Sequence, residues 1–234
     1  MLSTEVSIKK MKNITLKPNI FAVITGDIVK SSQLNIHKKK ILLSSLKKLF
    51  HSINKEGKMA APFQIYRGDS FQGVLKNPLD ALQVGILLKT GLKTSFETSL
   101  KNSWDARIAI GIGEIDFLQK KGSEGDGPAF RRSGPVLDEM KGETRLLIRT
   151  PWPTVDLEFE VATAFLDVII SKWSSSQAEV ISEQINGFTQ QEIAQKINIS
   201  QAAVNYRLKN AGWNALNKFL KRYELVINSA INNH

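Results

Sequence analysis

Two prolines around one tryptophan, Pro151-Trp152-Pro153, constrain this chain more than any other short segment. Each ring fixes φ, removes an amide donor and pushes the preceding residue out of the helical region, so no helix runs across them. The chain reads differently on either side. After the boundary every periodic stretch is helical; before it, strands and helices alternate. The expected organisation is an N-terminal tail (1–18), an α+β unit (19–150), a linker with a connecting helix (151–173) and a small all-α unit (174–234).

Within the first unit, residues 19–26 read as a buried strand, 31–55 as a helix, 62–76 as a β-hairpin, and 78–94 as a helix on Leu79, Leu82, Ile86 and Leu87. The strictest alternation is Ala106 to Ile115. Ile108, Ile110 and Ile112 share one face, joined by Glu114 if the strand continues, and Arg107, Ala109 and the glycines share the other. A Lys/Gly/Ser/Asp loop follows at 119–127. Asp126 is placed to cap a helix opening at Pro128, Pro135 should kink or restart that helix, and 143–149 is a last strand. The connecting helix, Leu157 to Trp173, is rich enough in Val, Ile and Phe to need a partner surface.

Two Gly-Asp dipeptides carry the chemistry. Gly26-Asp27 ends the first strand and Gly68-Asp69 forms the hairpin tip, so pairing those strands brings both carboxylates to one edge of the sheet. Mg²⁺ is commonly held by one or two carboxylates together with substrate phosphates, and this pattern suits a nucleoside triphosphate. Singly, each dipeptide is an ordinary turn.

The formal charge of +10 favours an anionic partner, nucleotide or nucleic acid. Residues 174–234 hold six Lys/Arg against four Glu, so most of the excess lies in the first unit. Part of it is the lysine face of the 31–55 helix, Lys38 to Lys40 with Lys47 and Lys48, which reads as solvated. The absence of cysteine excludes disulfides, thiolate catalysis and Cys-based zinc sites, and the three scattered histidines offer no metal-ligand spacing. Met1 to Asn19 has no apolar core, and no uncharged apolar run approaches the roughly eighteen residues of a membrane span. A cytoplasmic protein is expected.

Residues 189–210 fit a helix-turn-helix. Ala194 is the small residue at the helix contact, Asn198 takes the tight turn, and Ile193, Ile197, Ile199, Val204 and Leu208 form the core. Ser200 caps the second helix, leaving Gln201, Ala202, Asn205, Tyr206 and Lys209 outward toward a DNA major groove. Gln and Asn pair with adenine, whereas Arg207 and Lys209 suit phosphates. A single unit reads few base pairs, so a homodimer is expected.

Four blocks, Ile24-Thr-Gly-Asp-Ile-Val-Lys-Ser, Arg67-Gly-Asp-Ser-Phe-Gln-Gly-Val-Leu, Arg107-Ile-Ala-Ile-Gly-Ile-Gly-Glu-Ile and Gly127-Pro-Ala-Phe, resemble the catalytic domain of class III nucleotide cyclases. With the helix-turn-helix behind them, the chain resembles the SatD family from about residue 19 to 226. The resemblance implies a ferredoxin-like core, a head-to-tail dimer and two divalent ions, Mg²⁺ or Mn²⁺, on a nucleoside triphosphate. It assigns Asp27, Asp69 and the Ile28 carbonyl to metal, and Val29, Lys30, Ser31 and Arg67 to nucleotide. The cyclase Asn/Arg pair is missing from the helix after the third block; Arg131 or Arg132 is the candidate replacement cation. The purine-selecting position is Ile65, which cannot hydrogen-bond a base.

Cyclisation needs an aligned hydroxyl and a cation on the transition state, and losing one such preorganised group costs on the order of 10²–10³ in rate. The first expectation is therefore a DNA-binding regulator whose degenerate cyclase-like unit binds a metal–nucleotide ligand. The alternatives are an active divergent cyclase or nucleotide synthase, and a scaffold in which the aspartates only cap turns.

Overall fold

The computed structural model describes residues 20–95, 104–119 and 124–233; the expected tail and the centre of the 119–127 loop lie outside them. Five strands form the main sheet: β1 (Phe21–Ile28), β2 (Met59–Arg67), β3 (Ser70–Leu75), β4 (Ala106–Gly113) and β7 (Leu146–Arg149). Their order is β2-β3-β1-β4-β7, antiparallel except for the β4–β7 pair. Two residues each of β5 (Phe117–Leu118) and β6 (Gly125–Asp126) make a second small sheet. Helices α1 (Ile36–Lys55) and α2 (Ala81–Thr94) supply the crossovers of the first four strands. That connectivity, β-α-β-β-α-β with β1 and β3 at the centre, is the split arrangement of a ferredoxin-like core.

Alternation sorts the sheet into two faces. Ala22, Ile24 and Ile28 of β1 join Ile108, Ile110 and Ile112 of β4 under α1 and α2. The opposite face, with Val23, Ala109 and Thr25, is covered by α3 (Pro128–Glu139). There Thr25 donates to Ser133 (3.0 Å) and accepts from Gln72 (2.8 Å), a buried polar chain from β3 through β1 to α3.

Local chemistry moved several expected boundaries. Lys30 is left-handed (φ 58°), so 31–33 forms only a 3₁₀ turn; Asn35 then starts α1 afresh, its side chain accepting from the Lys38 amide at 2.9 Å. Helix α3 runs unbroken through Pro135, because Gly134 before it has no Cβ for the pyrrolidine ring to strike. The N-cap of α3 is Gly127 rather than Asp126. Its φ of 138° and the backbone of 114–116 leave no room for a Cβ, and Asp126 instead accepts from the Gly127 amide and Arg131. Strand β4 stops at Gly113, leaving Glu114 exposed, and the last strand begins only at Leu146.

Beyond Trp152, α4 (Pro153–Ser171), α5 (Ser175–Ile185), α6 (Gln190–Lys196), α7 (Gln201–Asn210) and α8 (Trp213–Asn232) complete the chain. Helix α2 is buried around nearly its whole circumference, Lys89, Thr90 and Lys93 included, because it is walled on both sides, by the sheet and by α5. One core consequently runs from Ile24 through Leu88 to Ile193 and Ile231. The buried Tyr223 hydroxyl donates to Pro78 O at 2.8 Å and ties α8 to the start of α2.

At the N-terminus of β7, Asp167 of α4 accepts from the Arg145 and Leu146 amides (2.7 and 3.1 Å) through one oxygen, while the other is buried and accepts nothing among the described residues. Burial raises its pKa above the ordinary 3.8, although Lys89 and the two amides oppose the shift. The sign follows. A raised folded pKa gives a contribution that is complete below about 3.8 and lost as pH rises through the folded value. The urea midpoint of the wild type minus that of Asp167→Asn should therefore fall between pH 4 and 7; a flat difference would refute the assignment.

Candidate functional site

Antiparallel pairing builds the site at one end of β1. Asp27 lies opposite Ser70 of β3 and opposite Arg107 of β4, so Asp69, one residue before Ser70, is brought beside it. Gly68, with φ 55°, opens the two-residue turn that presents Asp69. Gly26 is equally constrained: a Cβ there would stand 2.4 Å from the Phe71 ring and 2.9 Å from the Arg107 carbonyl.

Both expected carboxylates have partners. Arg107 grips Asp27 in a bidentate pair, Nε to Oδ1 at 2.9 Å and Nη2 to Oδ2, and its remaining nitrogen donates to the Met140 carbonyl at 2.9 Å. The bond from Asp27 raises the Arg107 pKa, and Asp138 and Asp69 add to the negative field around it. The Ser31 hydroxyl donates to Asp69 Oδ2. Among the described residues no group of three carboxylate or imidazole side chains surrounds a metal position. Two carboxylates with a backbone carbonyl nevertheless suit a hard divalent cation that completes its shell with phosphate oxygens. Arg107 now occupies both Asp27 oxygens, so such a cation would have to displace it.

The neighbouring turn departs in one respect from expectation. The Val29 amide donates to the Asp105 carbonyl at 2.9 Å and serves the sheet, so the turn offers amides only from Lys30 onward. Lys30 is exposed, Ser31 is committed to Asp69, and Ile28 is buried at the end of β1. The backbone of Arg67 pairs with Ser70 across the hairpin; its side chain lies outside the described set.

The two candidate cations lie elsewhere. Arg131 pairs with Asp126 (2.7 Å) and Asp116 (3.2 Å), and Arg132 reaches the Ile112 carbonyl at 3.3 Å. Both stand near the Gly113 end of β4, whereas Asp27 faces its Ala106 end, roughly 15–20 Å away along the strand. Within one chain neither meets the aspartates. The residue missed from sequence was Arg107, whose signal was its place on the non-isoleucine side of β4, the side Asp27 shares.

The second expected surface is α7. Asn198 has φ 54° in the turn after α6, Ser200 caps α7 by accepting from the Ala203 amide (3.1 Å), and Thr189 with Glu192 closes a capping box on α6. Gln201, Ala202, Asn205, Tyr206 and Lys209 are exposed along one side of the helix, while Val204 and Leu208 are buried on the other. Arg207 is half-buried and leans on Glu179 of α5 at 3.5 Å, so it braces the helix instead of reaching out toward phosphate.

A family model described as the SatD family matches residues 21–223. Among solved structures, the chain is similar to the adenylyl cyclase CyaB from P. aeruginosa (14% identity, TM-score 0.41, covering 56% of this chain and 76% of that one). It is also similar to the guanylyl cyclase Cya2 (17% identity, TM-score 0.45, covering 61% and 79%). No curated protein sequence matches. No helix among the described residues is long and apolar enough to cross a membrane.

Proposed function

The chain belongs to the SatD family, and from that premise we propose that it is a DNA-binding regulator whose cyclase-like unit binds a metal–nucleotide ligand and controls the helices behind it. The observation that carries this reading is the convergence of Asp27, Asp69 and Ser31 at one end of β1. Asp27, Asp69 and the Ile28 carbonyl would hold Mg²⁺ or Mn²⁺, and Lys30 and Ser31 would face the phosphates. The ion's contribution is to neutralise triphosphate charge. Arg107 acts as the resident counter-ion: it satisfies Asp27 when no cation is present, at the cost of competing with one.

Binding is favoured over turnover because the two candidate transition-state cations are committed at the far end of β4. The enzyme reading survives only if a second chain brings Arg131 or Arg132 across, as in the head-to-tail dimer that the cyclase resemblance implies. For DNA, α7 supplies Gln201 and Asn205 as base readers, with Tyr206 and Lys209 beside them and the α7 N-terminus at Ser200 and Ala202 near the backbone. Coupling has a physical route, since the hairpin carrying Asp69 leads through β3 into α2, and α2 packs on α5.

The test is nucleotide-dependent DNA binding. Gln201→Ala with Asn205→Ala should weaken selected-site affinity by about 30-fold or more at fixed salt, each base contact being worth about 1–3 kcal/mol. Mg²⁺–nucleotide should change the wild-type affinity and leave Asp27→Asn unmoved. DNA affinity indifferent to nucleotide would sink the coupling, and a new product made by wild type but not by Asp27→Asn would establish the enzyme.

A further inference from the structure

Helix α4 turns a row of large apolar side chains away from the molecule: Leu157, Val161, Phe165 and Val168 are 68, 60, 69 and 54% exposed. Their spacing of four, four and three residues places them on one stripe of an α-helix, with the small Ala164 in the middle. The helix cannot roll to hide them. On one flank Glu158 is bonded to Arg222 of α8, at 2.8 and 3.2 Å; on the other Glu160 pairs with Arg149 of β7 at 3.6 Å. The inward side is fixed too, by buried Phe159, Thr163, Leu166 and Ile170 and by the bonds of Asp167 to β7.

We propose that this stripe is an isologous interface between two copies of the chain, α4 packing antiparallel on α4 about a two-fold axis near Ala164. The spacing supports self-pairing, because it is close to symmetric about its own centre: an antiparallel partner sets Leu157 against Val168 and Val161 against Phe165, each contact occurring twice. Ala164 near the axis lets the two backbones approach to the roughly 8–10 Å of ordinary helix packing. Charge selects the same direction. The acidic Glu158 and Glu160 lie in the N-terminal half, and Lys172, which has no ion-pair partner among the described residues, follows the C-terminus. Glu158 and Glu160 are already paired with Arg222 and Arg149, so direction rests on Lys172 and the helix dipoles: antiparallel pairing opposes the dipoles and keeps the two Lys172 apart, whereas parallel pairing would set Lys172 against Lys172.

The area is also of the right order. Four such side chains offer roughly 60–120 Å² each, and with the flanking Thr154, Ala164 and Ser171 the patch reaches more than half of the ~800 Å² per partner of a standard interface, the size of a weak, reversible dimer. A dimer dissociating in the micromolar range is expected. The interface names the surface for the pairing that DNA reading requires, yet it stands apart from the nucleotide reading, because its test reads mass and not ligand.

Sedimentation equilibrium over roughly 1–100 μM chain should carry the wild type from one to two chain masses. Val161→Glu with Phe165→Glu should remain at one mass throughout, with an unchanged far-ultraviolet circular dichroism spectrum. Since the chain has no cysteine, a second measurement is independent of that variant's folding. Ala164→Cys should form a disulfide-linked dimer on mild oxidation, Leu157→Cys alone should not, and a mixture of Leu157→Cys and Val168→Cys chains should cross-link to each other. A monomeric wild type overturns the proposal, whether residues 1–19 or another protein then proves to cover the stripe. So does a dimer indifferent to positions 161 and 165, or self-linking of Leu157→Cys as fast as that of Ala164→Cys.

Discussion

Gly111→Ala is expected to cost about 3 kcal/mol or more, lowering the melting temperature by roughly 6–12 °C in a chain of this size. A Cβ at that position would stand 2.2 Å from the Ala129 carbonyl, 2.7 Å from the Ser133 amide and 2.8 Å from the Arg132 carbonyl carbon. All three atoms are backbone of α3, so no side-chain rotation relieves the clash and the helix must lift from the sheet. Lifting it pulls Ser133 from Thr25 and leaves the buried Thr25 O–H without its acceptor, a penalty of about 1–3 kcal/mol, although Thr25 still accepts from Gln72 and Ser133 still donates to the Phe130 carbonyl. Gly85→Ala is the control. Its Cβ, inside α2, would meet only side-chain methyls of the sheet, Ile110 at 3.4 Å and Ile108 and Leu146 at 3.9 Å, and a helix-interior alanine gains about 0.5–1 kcal/mol over glycine. Thermal and urea unfolding of the two variants should move in opposite directions; a Gly111→Ala protein melting with the wild type would remove α3 from its place on β4.

Arg107→Gln is expected to convert a poor divalent-cation site into a good one. In the wild type both Asp27 oxygens are held by the guanidinium, and an incoming cation must displace it. Glutamine removes the competing charge, and its amide ends about where Nε stands, short of the nitrogen that reaches the Met140 carbonyl. Without metal the variant should lose about 1–2 kcal/mol, since the ion pair is only partly buried. With Mg²⁺ or Mn²⁺ its apparent affinity should tighten about tenfold or more, read by isothermal titration and by a metal-dependent rise in melting temperature. Asp27→Asn should abolish both responses. Should Arg107→Gln weaken or spare cation binding, Arg107 is a supporting residue and the competition is wrong.

Arg107 also shows where sequence reading stops. The alternation of β4 is visible in one dimension, and it placed Arg107 opposite the isoleucines correctly. Which carboxylate it would meet depends on the register of β1 against β4, a non-local quantity that periodicity does not contain. The Asp27–Asp69 convergence was legible because turn chemistry marked the end of one strand and the tip of one hairpin. The turn at Asn198 and the Ser200 cap were legible for the same reason: both are local. At Pro135 the helix does not restart, because Gly134 before it has no Cβ to clash with the ring, a pairing that the rule for proline alone does not contain. Helix α2 was read with one apolar face, although Val84, Gly85, Leu88 and Leu92 complete a second. Two apolar faces announce burial on both sides, but Lys89 and Lys93 blur that signal, and the sequence does not say that the second wall is α5, nearly a hundred residues later.

That doubly walled helix also sets the order of events during synthesis. Pro78 and Tyr223, which close one end of the wall, are 145 residues apart. At about 5–20 residues per second, the ribosome needs roughly 7–30 s to deliver the second after the first. Until α5 is made, within that interval, α2 can form but its outer side has nothing to rest against. The nascent chain therefore waits, with one side of that helix uncovered, for α5 to be made and α8 to close over it.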